Sequence, residues 1–137
     1  MKALPTLLRI ARRDLDALRH VLAEALGKRA AVDARLAAHD EALAQEQRIA
    51  LQSYEHGRAY GGYAALALAQ RRALAAEGAA IDEEIERIRA FVTEAHIEVK
   101  KAERLLELHQ AREEAATRRR QDAEMDEIAT LRAGRRR

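Results

Sequence analysis

Apolar residues recur along two long stretches of this chain in alternating steps of three and four. In the first stretch Leu8, Leu15, Leu22, Leu36 and Leu43 fall seven or fourteen residues apart, and Ala11, Leu18, Ala25 and Val32 fill the second position of the repeat. Such spacing keeps one narrow apolar stripe on one side of an α-helix, which is the seam of a coiled coil. Arg29 interrupts the stripe. The second stretch repeats the alternation through Leu74, Ile81, Ile85, Ile88, Val92, Ala95, Val99, Ala102 and Leu106. Beyond Leu106 the pattern decays, because His109, Glu113, Ala116, Arg120 and Ala123 continue it poorly. Between the two stretches lies GRAYGGY, residues 57–63, with three of the six glycines and two of the three tyrosines. Gly61 and Gly62 permit backbone angles that other residues resist. The pattern therefore predicts a first helix over 5–56, a turn over 57–62 and a second helix over 63–133. Pro5 suits a first helical turn, and Gly134 is a natural stop.

The fold expected is all-α: a single domain over 1–137, built as a long antiparallel two-helix coiled-coil hairpin. Its register can be tested by pairing residues whose numbers add to 117. Leu15 then meets Ala102, Leu22 meets Ala95, Ala11 meets Leu106 and Ala25 meets Val92, so large opposes small. His39 meets Gly78, and Glu46 meets Arg71 with opposite charge. The first helix starts near Pro5, so its partner surface ends near residue 112. The second helix should overhang at its C-terminal end by roughly 30 Å, beyond a paired region of roughly 80 Å, at 1.5 Å per residue.

Composition agrees with helices rather than a layered domain. The 137 residues include one proline, no cysteine, no tryptophan and 3% aromatics, while 35% are charged. That mixture belongs to long helices and coiled coils. The lack of cysteine fits a reducing compartment. No apolar run is long enough to span a bilayer. The start, MKALPTLLRIARRD, lacks the apolar core and cleavage site of a signal peptide, so a cytoplasmic location is expected.

Candidate chemistry is sparse. There is no glycine-rich phosphate loop, no cysteine and no serine besides Ser53. Carboxylates are plentiful, but two paired helices offer no cleft in which a buried pair would titrate abnormally. His20, His39, His56, His96 and His109 form no i, i+4 pair, and a zinc site needs convergent ligands. No enzyme activity, cofactor or metal is expected. Charge is more informative. Residues 1–20 and 110–137 together carry a net charge of about +5, whereas the body between is net negative. The positive end reads either as a solvated helix end with a favourable basic last turn or as a basic plug for an acidic partner. Nucleic acid is disfavoured by the acids interleaved in RRRQDAEMDEIATLR and by the lack of a stacking platform. Met125, Ile128 and Leu131 form a short stripe on the overhang, readable as a frayed end or as a contact. Tyr54, Tyr60 and Tyr63 either cap the turn by packing on one another or meet a partner.

The C-terminal run KKAERLLELHQAREEAATRRRQDAEMDEIATLR resembles the end of FliJ proteins of the bacterial flagellar export apparatus. Its most specific piece is EMDEIA, Glu124 to Ala129, after a basic stretch. The amphipathic start LLRIARRDLDALRHVLAEAL and the total length also fit. The alanine- and glycine-rich AYGGYAALALAQ departs from bulkier family members. The resemblance implies an antiparallel two-helix stalk, like the central stalk of rotary ATPases, at the base of the export apparatus. Its terminal end would enter the ring of the export ATPase (a FliI-like hexamer). The resemblance thereby implies ATPase-facing roles for Arg12, Arg13, Arg118, Arg119, Arg120, Met125, Asp126, Glu127, Ile128, Leu131 and Arg132. The far tip, with Tyr54, Tyr60 and Tyr63, would face the export gate protein (FlhA-like), in cooperation with export chaperones. Contact with the membrane would run only through these partners, and no nucleic acid is implied. Stalk proteins of virulence injectisomes, or a structural scaffold or homodimer unrelated to secretion, are the alternatives.

Overall fold

The computed structural model describes residues 3–136 as two α-helices, α1 (Ala3–Ala50) and α2 (Tyr54–Arg135). They pack antiparallel as an all-α hairpin, with no strand among the described residues. The chain divides into two compact units, each containing a stretch of both helices. One comprises Asp16–Glu94 with the turn; the other comprises Met1–Leu15 with Ala95–Arg137.

In the 16–94 unit Ala25, Val32, Ala67, Ile85 and Ile88 are buried. Ala25, Ile85 and Ile88 form one cluster, against which Leu22, Ile81 and Val92 pack. In the other unit Leu8, Leu15 and Val99 are buried. Each of the seam positions expected from the heptads is buried or half-buried. The apolar stripe thus supplies the burial that holds each helix, since helices this regular gain most of their stability from one packed face.

The turn is not where the glycines are. α1 ends at Ala50, the chain reverses over residues 51–53, and α2 begins at Tyr54. The expected turn over 57–62 is therefore corrected: those residues lie inside α2, and no glycine has a positive φ. The physical reason is a cap. Ser53 accepts a hydrogen bond at Oγ from the backbone N–H of His56 (3.2 Å), and its carbonyl accepts from the N–H of Gly57 (3.1 Å). The His56 ring nitrogen also reaches the Ser53 hydroxyl. A serine in this position satisfies donors that the first helical turn otherwise leaves open. On the other side, the N–H of Gln52 donates to the carbonyl of Ile49 (3.0 Å), which tightens the last turn of α1. Glycines tolerate helical angles at a modest cost, so a good cap just upstream decides the boundary.

The register shifts with the turn. Arg29 Nε donates to Asp82 (2.8 Å), Arg35 to Glu77 (3.1 and 3.2 Å) and Arg71 to Asp40 (2.8 and 3.3 Å). The residue numbers of these pairs, all in the 16–94 unit, add to 111 or 112, five or six short of 117, whereas Arg12 and Glu103 of the other unit add to 115. Arg71 therefore meets Asp40 and not Glu46. Gly78 meets Arg29 and not His39: a Cβ at Gly78 would lie 2.7 Å from Arg29 Nη1. Arg29, which breaks the apolar stripe, thus runs over a buried glycine and leaves the seam to reach Asp82 and Asp33. Its bond to Asp82 raises its affinity for the proton further. The Arg71 bond likewise holds the Asp40 carboxyl below its ordinary range. His39 lies instead beside Gln70, Ala73 and Leu74, with Nδ1 buried and 3.9 Å from Asp40.

Candidate interaction surface

In the unit formed by Met1–Leu15 and Ala95–Arg137, α1 contributes Leu8 and Leu15 to the seam, and Arg12 pairs with Glu103 across it (3.5 Å). The seam ends soon after Leu106. From Thr117 to Arg136 every residue is exposed, yet α2 continues unbroken to Arg135. This leaves about 30 Å of single helix at 1.5 Å per residue. Within it Arg118 pairs with Glu114 (3.8 Å), and the hydroxyls of Thr117 and Thr130 donate to the carbonyls of Glu113 and Asp126 (2.9 Å each).

Met125 (68% exposed), Ile128 and Leu131 project into solvent. A shallow face is lined by Met125, Ile128, Ala129, Arg132, Ala133 and Arg136. This i, i+3, i+4, i+7 set is the one a helix presents together. Leu131, six residues from Met125, falls about 120° away by the 3.6-residue period and lies outside that face. The sequence missed Ala129, Ala133 and Arg136, because an Ala–Arg face carries little apolar contrast. Its signal was the spacing from Met125 rather than residue size.

Not all the residues expected to act together are brought together. Arg118, Arg119, Arg120, Met125, Asp126, Glu127, Ile128, Leu131 and Arg132 share one stretch of α2. Arg12 is engaged with Glu103, roughly 20 Å of helix before Arg118. Arg13, beside it on α1, is exposed. This unit carries a second outward surface. Ile97, Leu105 and Leu108 are exposed on α2, with Lys100, Lys101 and Arg104 around them. Each base already has an acid three residues away: Glu103, Glu98 and Glu107 respectively.

At the turn of the 16–94 unit, Leu51 is 89% exposed and Tyr54 81%. The Tyr60 and Tyr63 rings lie 6.4 Å apart at a 37° tilt, an ordinary packed aromatic pair. Of the two readings of the tyrosines, mutual packing therefore applies to Tyr60 and Tyr63, whereas Tyr54 is exposed, as is Leu51. Among the described residues no group of three His, Cys, Asp or Glu side chains is arranged to hold a metal ion, and no helix is long and apolar enough to cross a membrane.

The antiparallel helical pair and its exposed helical extension present faces of side chains to solvent. The sequence profile of the flagellar FliJ protein family matches residues 1–137, and the chain belongs to that family, whose members serve the flagellar export apparatus. Neither curated proteins nor solved structures gave a match.

Proposed function

We propose that this chain is the stalk of the flagellar type III export apparatus, acting at the cytoplasmic base of the flagellum. Its bare α2 extension engages the ring of the export ATPase, and the turn end faces the export gate and its chaperones. One observation carries the reading: residues 117–135 remain helical although none is buried against the rest of the chain. A helix that long without a packed face is expected to be marginal alone, so its covering surface comes from a partner. The extension offers Arg118, Arg119 and Arg120 followed by the Met125–Ile128–Arg132 face, a basic collar next to an apolar one. Such a surface suits an acidic-rimmed apolar lining, with the charges governing encounter and the apolar face residence.

The test is the rate of ATP hydrolysis by the export ATPase as this chain is added. The full chain should stimulate, and a chain lacking 117–137 should not, while circular dichroism shows the paired seams intact. Reversing Arg118–Arg120 to glutamate should weaken binding most at low salt, as exposed charges require. A truncated chain that stimulates as well as the full one would move the ATPase contact elsewhere, with Leu51 and Tyr54 at the turn next in line.

A further inference from the structure

We propose that the 16–94 unit holds a second register, one heptad along, in which the chain reverses within residues 57–62 and the Arg29–Asp82 contact is open. Three observations meet here. The first is the seam. A slide of seven residues along α2 sets Ala25 against Val92 in place of Ile85, Val32 against Ile85, and Leu36 against Ile81, so apolar residues still meet apolar residues. A heptad repeat cannot by its hydrophobic positions alone distinguish the two alignments.

The second observation is what does distinguish them. Arg29 now crosses the buried Gly78, where a Cβ would collide with its guanidinium, and donates to Asp82. After the slide Ile85 would take the place of Gly78, and the position of Asp82 would be taken by Arg89. Asp40 would exchange Arg71 for Gly78. Arg35 alone keeps an acid, with Glu84 replacing Glu77. The present register is therefore pinned at two points, by Arg29 in its glycine notch and by the Asp40–Arg71 pair.

The third observation is the state of α2 just past the turn. Residues 51–59 are all exposed, and Gly61 and Gly62 have nothing within 4 Å of where a Cβ would sit. Three glycines in six positions weaken this helical start, yet the same glycines suit a reversal of either hand. In the second register α1 lengthens through residues 51–56, and the glycines become the turn. The two helical stretches of the unit then move past one another by about 10 Å, seven residues at 1.5 Å each. Two discrete packings of one sequence, biased by a few polar contacts, are the kind of element that a bound partner can switch.

The chain has no cysteine, so spin labels attach only where they are placed. Labels at exposed Ala23→Cys and Ala65→Cys should give one principal distance by pulsed electron resonance in the otherwise native chain. Opening both pins with Arg29→Ala/Asp40→Ala should raise a second component, about 10 Å longer, by tenfold or more. Adding Gly57→Ala/Gly61→Ala/Gly62→Ala should suppress it again, because alanine holds 57–62 in helix. Should the alanine pair melt at the measuring temperature, Arg29→Gln/Asp40→Asn keeps the side-chain bulk and is read the same way. A single unchanged distance in a folded double variant overturns the proposal. So does a longer component that the glycine replacements leave untouched.

Discussion

Replacing Gly61 and Gly62 together with alanine separates two accounts of the chain's midpoint by sign. Both residues lie in α2, both have negative φ, and an added Cβ meets nothing within 4 Å at either. In an exposed helical position alanine is favoured over glycine by about 1 kcal/mol, chiefly because the unfolded chain loses freedom. The pair should therefore stabilise by about 2 kcal/mol, or somewhat less if the helix start frays. Were the two glycines the hairpin turn in left-handed conformation, each alanine would instead cost about 1 kcal/mol. The accounts differ by about 4 kcal/mol, far outside experimental scatter. For a chain of this length the helical account raises the melting temperature by roughly 4–10 °C. The assay is a thermal melt by circular dichroism, with hydrogen exchange of the amides over 57–66 as the local readout; these should exchange more slowly. A lowered melting temperature, or faster exchange in that segment, would refute the placement of the turn at 51–53. Gly57→Ala should help less, since its Cβ would touch the Ala50 carbonyl oxygen at 3.4 Å.

Other substitutions probe the remaining parts. Ser53→Ala removes the cap on His56 and should cost about 1 kcal/mol in urea unfolding, with Ser53→Gly costing only a few tenths. Ile85→Ala empties part of the cluster around Ala25 and Ile88 and should cost about 2–4 kcal/mol, whereas the exposed Ile128→Ala should leave the melt unchanged. Asp40 titrates below its ordinary value in the folded chain, so its contribution is present above about pH 4 and is lost as pH falls through the folded value. Asp40→Asn should therefore flatten the fall in melting temperature between about pH 5 and pH 2, while a wild-type slope in the variant would show that the Arg71 pair does not report on folding.

How the sequence yielded some of this and withheld the rest follows from what a heptad encodes. Seam membership was legible: Leu8, Leu15, Ala25, Val32, Ile85, Ile88 and Val99 all proved buried. The end of the seam was legible too, because His109, Glu113 and Arg120 cannot continue an apolar stripe, and the exposed extension begins where the pattern decays. Register was not legible, since sliding one helix by seven residues returns every seam residue to another seam residue. The information that breaks the tie sits in polar positions, which hydrophobic periodicity ignores. Arg29 looked like a flaw in the stripe and Gly78 like a small filler, and only together do they form a side chain and its passage. In the candidate surface, Arg118 to Arg120 and Met125 stood out by charge and size. Ala129, Ala133 and Arg136 did not, because their membership is set by helical angle alone.

The midpoint shows how two local signals compete. Three glycines in six residues suggested a reversal through their freedom, while one serine four residues before them offered a cap through a specific hydrogen bond. Freedom is permissive: a glycine that can turn can also stay helical, at about 1 kcal/mol relative to alanine. A cap is directive, because Ser53 satisfies a donor only if the helix starts at Tyr54. The directive signal then fixes how far α1 runs, and thereby which residues of α2 lie level with Arg29 and Asp40. Those two side chains find Asp82 and Arg71 in this alignment and would find Arg89 and Gly78 in the next. Cap and ion pairs thus select the same register, by independent physics, from alignments that the apolar seam leaves nearly equal. The glycines are left as a weak stretch of helix immediately beyond the turn.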